Sequence, residues 1–400
     1  AGTAIIKQLL LDHKMIHPIH QIASSDILLI TNHYPSYDDL YRNGFVHTRV
    51  TAYKDKGVNI NVLRLRPNQV NTSYHEFNGV DVTTGNKELL KEMLDSGQYR
   101  HILVHFLDSD MWSVLDNYID KIKVTVWVHG AEIQPWWRRQ YNYTTESELE
   151  KAKIISEVRS TFWKRILQPM HSNLKLIFVS KYFCEEVMED LGFRIKADQY
   201  EIIPNPIDTE LFSYVKKPVE QRKKILSIRP FASAKYANDL SAKMIEELSS
   251  EDWFNSLEFR IIGDGVLFEE ITKPLEKYSN VIIQRGFLTH QEIANLHKDY
   301  GVFLCPTRMD SQGVSRDEAM SSGLVPITNN VAAIPEFVDN DSGILAGKDD
   351  YIGMAEGLKR LILDDGYFNS LSEAASARVF NKLNTECIIS SELHLFEKKD

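Results

Sequence analysis

Four hundred residues exceed one ordinary hydrophobic core, so two domains are expected. With 43% hydrophobic and 26% charged residues and no low-complexity tract, the chain falls in the soluble globular class and outside the disordered and fibrous ones. A formal net charge of −10 excludes the broad basic field that nucleic-acid backbones require, though it leaves room for one local basic pocket.

Residues 1–25 read as a leader without a secretory signal, and no run approaches the ~18 apolar residues that span a bilayer. Cys184, Cys305 and Cys387 lie far apart with no CxxC, so neither a disulfide framework nor a zinc site is expected, and a reducing cytoplasm fits. Strands are expected at 26–32 (DILLITN), 58–65, 101–106 (HILVHF), 123–129 (KVTVWVH), 174–180 and 200–204. Helices run between them. Asn86 can cap NKELLKEMLDSG, and Ser180 can cap SKYFCEEVMEDLG, which Gly192 ends. The pattern restarts with strands at 223–228, 257–263, 280–284, 300–306 and 325–328, and with a capping box at Thr289 and Glu292. Strands alternating with helices mean parallel sheets covered on both faces. The expected class is therefore α/β, with two Rossmann-like domains at 26–205 and 206–375, a junction near 204–212, and a helical tail at 376–400 that returns to the first. Two such domains leave a cleft at the carboxyl ends of their strands.

Several stretches carry candidate chemistry. In SIRPFASAKYAND, Arg229 follows a strand and Lys235 opens a helix six positions later. Alone, such a pair is more often two solvated cations, but at a helix N-terminus it suits a diphosphate. In FRIIGDG, Gly263 and Gly265 mark a tight turn or a close backbone approach, a weak signal by itself. In RMDSQGVSRDEAMSSGLVP, Gly313 lets the backbone come close to a ligand, and the amides of Val314 and Ser315 open toward it. Asp310 and Glu318 flank it, placed to accept hydrogen bonds from sugar hydroxyls; the competing reading is a capping box between Ser315 and Glu318.

The order of these motifs resembles the retaining GT-B glycosyltransferases of family 4. The similarity runs through IIPNPIDTELF, the Arg229–x5–Lys235 pair, FRIIGDG, the block from Asn280 to Thr307 and the Asp310–x7–Glu318 segment, and is looser at VWVHG in the first domain. The resemblance implies that Arg229 and Lys235 hold the diphosphate of a UDP- or GDP-type sugar donor, and that Glu318 binds its ribose. It implies further that Asp310 contacts the transferred sugar, that the backbone of 313–315 touches phosphate, and that His129 stands beside the reaction centre. It also implies a glycan or lipid-linked acceptor, no metal and no cofactor beyond the donor, with contact at the inner face of a membrane.

Three residues depart from the family pattern. Asp310 stands where a glutamate is usual, Tyr236 follows Lys235 where a glycine is usual, and the loop HYPSYDDLYRNGF carries Gly44 as its single glycine. Two other readings fit the same motifs: a different GT-B enzyme such as a nucleotide-sugar epimerase, and a non-catalytic nucleotide-sugar-binding module. Asp108 and Asp110 in FLDSDMW imitate a metal-binding DxD but read as a loop with a helix cap. Trp136, Trp137, Arg138 and Arg139 form an aromatic–basic cluster that fits either a loop anchor or a contact with sugar or lipid head groups.

Overall fold

The computed structural model describes residues 25–40 and 42–398, so most of the expected leader lies outside the described residues. The first domain's strands are β1 (Ile27–Thr31), β2 (Asn61–Leu65), β3 (Ser73–Phe77), β4 (Val80–Gly85), β5 (His101–His105), β6 (Lys123–Trp127), β7 (Leu174–Phe178) and β8 (Tyr200–Ile202). They lie in the order β3-β4-β2-β1-β5-β6-β7-β8. All neighbours are parallel except β3 and β4, an antiparallel edge hairpin. Asn78 and Gly79 turn that hairpin with φ of 44° and 82°, the left-handed pair that a two-residue turn requires.

The second sheet holds β9 (Lys224–Ile228), β10 (Glu258–Gly263), β11 (Val281–Arg285), β12 (Val302–Leu304), β13 (Val325–Asn329) and β14 (Ile344–Ala346). Its order is β11-β10-β9-β12-β13-β14, parallel throughout. The central strands are apolar because helices cover both faces. In β1, Leu28 and Ile30 point into one core layer and Ile27 and Leu29 into the other.

Sequence caps set the helix starts. Asn86, Ser180 and Thr289 each accept from the backbone amide three residues on, and Thr289 with Glu292 forms the full capping box. Asp108 likewise caps the helix Ser109–Leu115, while Asp110 pairs with Lys87 at 3.3 Å, so each aspartate of the DxD has a protein partner.

The chain passes between domains at two adjacent points. Ile207 donates its amide to Leu383 O at 2.8 Å and bridges Asn384. The helix Asp365–Leu383 packs within the second domain through Phe368, Leu371, Ala375 and Val379. The return to the first domain begins at Asn384, after which Ile388, Ile389 and Phe396 join the β1 core. A further tie comes from Glu336, whose two carboxylate oxygens accept the amides of Lys181 and Tyr182 at 2.8 and 2.9 Å. A second-domain carboxylate thus caps a first-domain helix. Among the described residues no helix is long and apolar enough to cross a membrane.

Candidate active site

Strand order decides where the second domain can bind. β9 lies between β10 and β12, whose connections leave in opposite directions, and such a switch point opens a crevice at the strand's carboxyl end. Arg229 is the first residue past β9. Its amide donates to Ile262 O of β10 and its Nη2 to Pro306 O just beyond β12, both at 3.0 Å. The side chain is buried, and its Nε has no partner among the described residues. A buried cation with an unused donor costs stability, a feature kept where a ligand needs it.

Gly263 accounts for part of that placement. A Cβ there would lie 2.0 Å from Arg229 O and 2.7 Å from the Phe231 ring. At Gly265, with φ of 146°, it would lie 2.3 Å from the Phe231 carbonyl carbon. The space at both glycines is filled by the 229–232 chain. Gly263 is thus a point of close backbone approach, and it seats the loop that carries Arg229.

Lys235 follows on a short turn. Burial lowers the pKa of its ammonium, the charge of Asp310 opposes that shift, and the charges of Arg139 and Arg229 add to it. Tyr236 follows Lys235 directly. Its ring centroid lies 5.4 Å from the Arg229 guanidinium carbon and 5.3 Å from Lys235 Nζ, so one aromatic ring attends both cations. Neither cation has a carboxylate within ion-pair distance among the described residues, whereas neighbouring Arg308 is paired with Asp239 at 2.8 Å.

Gly313 has φ of 100° and starts the helix Val314–Ser321 directly. A Cβ on it would meet Arg316 Nη1 at 2.5 Å and Asp310 Oδ2 at 3.0 Å, so glycine is required on both counts. Because the helix begins at Val314, Ser315 lies inside its first turn. The alternative capping box between Ser315 and Glu318 is therefore absent, and the helix has no side-chain cap. The amides of Val314 and Ser315 are left to receive an anion.

Glu318, one turn further, has no side-chain hydrogen bond among the described residues. Burial, with the charges of Asp317 and Asp208, pushes its carboxyl up to about 8. Asp310 sits across Gly313 and accepts the Gln312 amide at 3.3 Å. Arg229, Lys235, Asp310 and Gly313 thus converge, with Glu318 on the helix that Gly313 begins.

The first domain contributes His129, two residues past β6. Its Nε2 lies 3.1 Å from His105 Nδ1, at the end of the adjacent strand β5. The His129 ring stacks on Phe106 at 4.4 Å and meets Phe45 at 5.0 Å, while His105 stacks on Trp127 at 4.8 Å. Burial, aided by the charge of Arg49, drops the His129 pKa to about 3, so the ring is neutral at physiological pH. It can give or take a hydrogen bond but carries no charge to spare. Gly44 opens the helix Gly44–Asp55, nothing crowds it within 4 Å, and the next residue, Phe45, touches His129. Gly44 thus directly precedes the residue whose ring meets His129.

His105, Phe45 and Phe106 were not anticipated from sequence. One signal was available: parallel pairing of HILVH with KVTVW sets His105 opposite Trp127, two residues before His129. The aromatic–basic cluster divides. Trp136 donates its amide to Ser156 Oγ at 3.0 Å, and Arg138 pairs with Asp190 at 2.8 Å, so both anchor the loop. Trp137 stays about half exposed, and Arg139 donates to Gln134 Oε1 with no carboxylate in ion-pair distance among the described residues.

Residues 222–364 match the sequence profile of the family described as Glycosyl transferases group 1. The chain is 25% identical over 202 residues to a 2-deoxystreptamine N-acetyl-D-glucosaminyltransferase of Niallia circulans, covering 50% of this chain and 51% of that one. It is 26% identical over 163 residues to a poly(ribitol-phosphate) alpha-N-acetylglucosaminyltransferase of Staphylococcus aureus strain COL, covering 40% and 32%. The chain thus spans about half the length of these relatives, or less. Sucrose-phosphate synthase from Thermosynechococcus elongatus superposes with a TM-score of 0.69 at 16% identity, over 93% of this chain and 98% of that one. The chain has the GT-B fold, and its second domain carries the sequence signature of glycosyl transferases group 1.

Proposed function

We propose that this protein is a retaining, metal-independent hexosyltransferase. It moves a sugar from a nucleoside diphosphate donor of the UDP or GDP type to a hydroxyl of a glycan or lipid-linked glycan. The observation that carries the reading is the pair of unpaired cations, Arg229 and Lys235, at the switch point of the second sheet, facing the uncapped start of the helix Val314–Ser321. Two fixed positive charges and free amides stabilise charge that develops on a departing diphosphate. Glu318, with no partner of its own, is available to the two ribose hydroxyls. Asp310, beside Lys235, faces the transferred sugar, and neutral His129 borders it from the first domain.

In the reaction the bond from the anomeric carbon to the diphosphate oxygen breaks. The acceptor oxygen bonds that carbon on the same face, and the acceptor's proton passes to the departing phosphate oxygen. No protein nucleophile takes part. Both relatives named above carry N-acetylglucosaminyl in their names, which makes N-acetylhexosamine donors the first to try. The poly(ribitol-phosphate) relative favours bacterial surface polysaccharide assembly as the setting, in the cytoplasm at the inner face of the membrane. Exposed Ile154, Ile155 and Val158, on one side of the helix Glu146–Leu167 and beside the Trp137 loop, support contact with a lipid-linked acceptor there.

The test is incubation with a panel of UDP- and GDP-sugars and simple glycan acceptors, with the product anomer read by NMR. An α-donor giving an α-product supports the reading. A β-product makes the enzyme inverting, epimerised free sugar makes it an epimerase, and donor binding without turnover leaves a binding module.

A further inference from the structure

Arg139 stands apart from the other cations of its loop. The short helical segment Trp136–Asn142 breaks at this residue, with φ of −123° and ψ of 21°. Arg138 is held by Asp190 and Glu189, and Trp137 also hydrogen-bonds Asp190, so the segment is pinned to the first domain on that side. On the other side it packs against the turn Ala234–Tyr236 of the second domain, and Ser233 Oγ donates to Asn142 Oδ1. The segment therefore bridges the cleft at the turn that carries Lys235.

The Arg139 guanidinium has one hydrogen bond among the described residues, from Nε to Gln134 Oε1 at 3.0 Å, and no carboxylate within ion-pair distance. Its Nη2 lies 3.6 Å from the point a Cβ on Gly130 would occupy, so it rests over the residue after His129. Gly130 has φ of 133°, and its lack of a side chain leaves that space open. Nearby Glu132 accepts the amides of His129 and Gly130, and the charge of Arg139 opposes the rise that burial gives its carboxyl, but the two lie beyond ion-pair distance. An unpaired, half-buried arginine between His129 and Lys235 has the chemistry of an anion ligand.

We propose that Arg139 is a third ligand for the donor's diphosphate, supplied by the first domain to complete the clamp formed by Arg229 and Lys235. This rests on the reading of the cleft as a nucleotide-sugar site and adds a residue to it. Because the diphosphate would then be gripped from both domains, donor binding itself holds the cleft closed on the His129 side.

The test is calorimetric titration of UDP, GDP and inorganic pyrophosphate into the wild type, Arg139→Gln, Arg139→Lys, Lys235→Ala and Lys151→Gln. Lys151→Gln removes the same charge from the exposed face of the following helix and controls for net charge. Arg139→Gln should weaken the better nucleotide and pyrophosphate by about tenfold or more, the scale of one lost charge-assisted hydrogen bond. Arg139→Lys should recover part of that loss, and Lys151→Gln should bind as the wild type does. Unchanged melting of Arg139→Gln would exclude misfolding as the cause. If Lys235→Ala loses affinity while Arg139→Gln keeps it, Arg139 is no diphosphate ligand and the reading of the cleft stands. If the wild type binds neither nucleotide nor pyrophosphate, that reading falls and this inference with it.

Discussion

Arg49 and Glu392, 343 positions apart in the chain, meet as an ion pair of 2.6 Å with neither side chain exposed. The same Glu392 oxygen accepts from Trp127 Nε1 at 3.1 Å and Tyr53 at 3.3 Å. Arg49 Nη2 donates to Asn205 Oδ1 at 2.7 Å, and the Asn205 backbone exchanges two hydrogen bonds with the Gln312 side chain. One polar network thus runs from the tail helix through the interdomain junction to the loop before Gly313. Removing a single partner leaves a buried charge unpaired, at a cost of about 3–5 kcal/mol. Arg49→Met should therefore lower stability to urea by that order, and the double variant Arg49→Met/Glu392→Leu should recover much of it. Additive losses in the double variant would show that the pair is not coupled.

Lys235→Ala should reduce kcat by roughly 10²–10³, the range for deleting one donor that acts in the transition state. Lys235 is half-buried with its ammonium unpaired, so stability should change little. Arg229→Ala is a less clean test. Its side chain is buried and bonded to Pro306 O, so truncation strands a carbonyl and should also cost about 1–3 kcal/mol of stability. Near-normal turnover in Lys235→Ala, measured by nucleoside diphosphate release, would remove it from the site.

Glu318 gives a pH dependence with a definite sign. Its carboxyl titrates at about 8 in the folded chain against 4.5 as its ordinary value, so the folded state holds a proton that the unfolded state has lost. Between those two values stability falls as pH rises, and below about 4.5 the penalty vanishes. Glu318→Gln should therefore raise the unfolding free energy of the unliganded protein at pH 7–8, by the order of 1–2 kcal/mol after screening at the partly open site, with a higher melting temperature, and leave both unchanged at pH 4. Nucleotide-sugar affinity should strengthen in the wild type as pH rises from 7 toward 8.5, with no such slope in the variant. A wild-type affinity flat with pH would mean that this carboxylate does not bind the ribose.

Turnover should persist in excess EDTA. Asp108→Asn, which keeps the helix cap, and Asp110→Ala, which loses an exposed pairing with Lys87, should both remain active. Loss of turnover under EDTA that Mn²⁺ restores would return those aspartates to the site.

Much of the fold could be read from the chain because apolar runs and caps are local signals. β1, β5, β6, β7 and β9 to β13 fall where short, mainly apolar stretches stand, and Ser180 and Thr289 cap as their spacing requires. The β3–β4 hairpin went unread although Asn78-Gly79 is a strong turn signal, because its strands carry few apolar residues: SYHEF is largely exposed. β14, of three residues, is too short to show a period. For the proposed site, Arg229, Lys235, Asp310 and Gly313 could be singled out because they lie within one domain in the order of a family motif, although spacing alone left solvated cations the commoner reading for Arg229 and Lys235. Arg139 and the His105–His129 contact were not, because each depends on two loops meeting across neighbouring strands or across the cleft. Gly263 shows the close backbone approach that its sequence allowed, with the Arg229 carbonyl filling its space; that the approaching group is backbone could not be read, because a glycine that admits a ligand looks the same in sequence.

The central claim is that one cleft holds a diphosphate on Lys235, a ribose on Glu318 and a sugar on Asp310. Calorimetric affinities for UDP and GDP and for their sugars, in excess EDTA, test it most directly when compared across the wild type, Lys235→Ala, Glu318→Gln and Asp310→Asn. Lys235→Ala and Glu318→Gln should each weaken the bare nucleotide by about tenfold or more, while Asp310→Asn leaves it intact and weakens the nucleotide sugar alone. Equal affinities in all four proteins, or a nucleotide that binds only when a divalent metal is added, would contradict it.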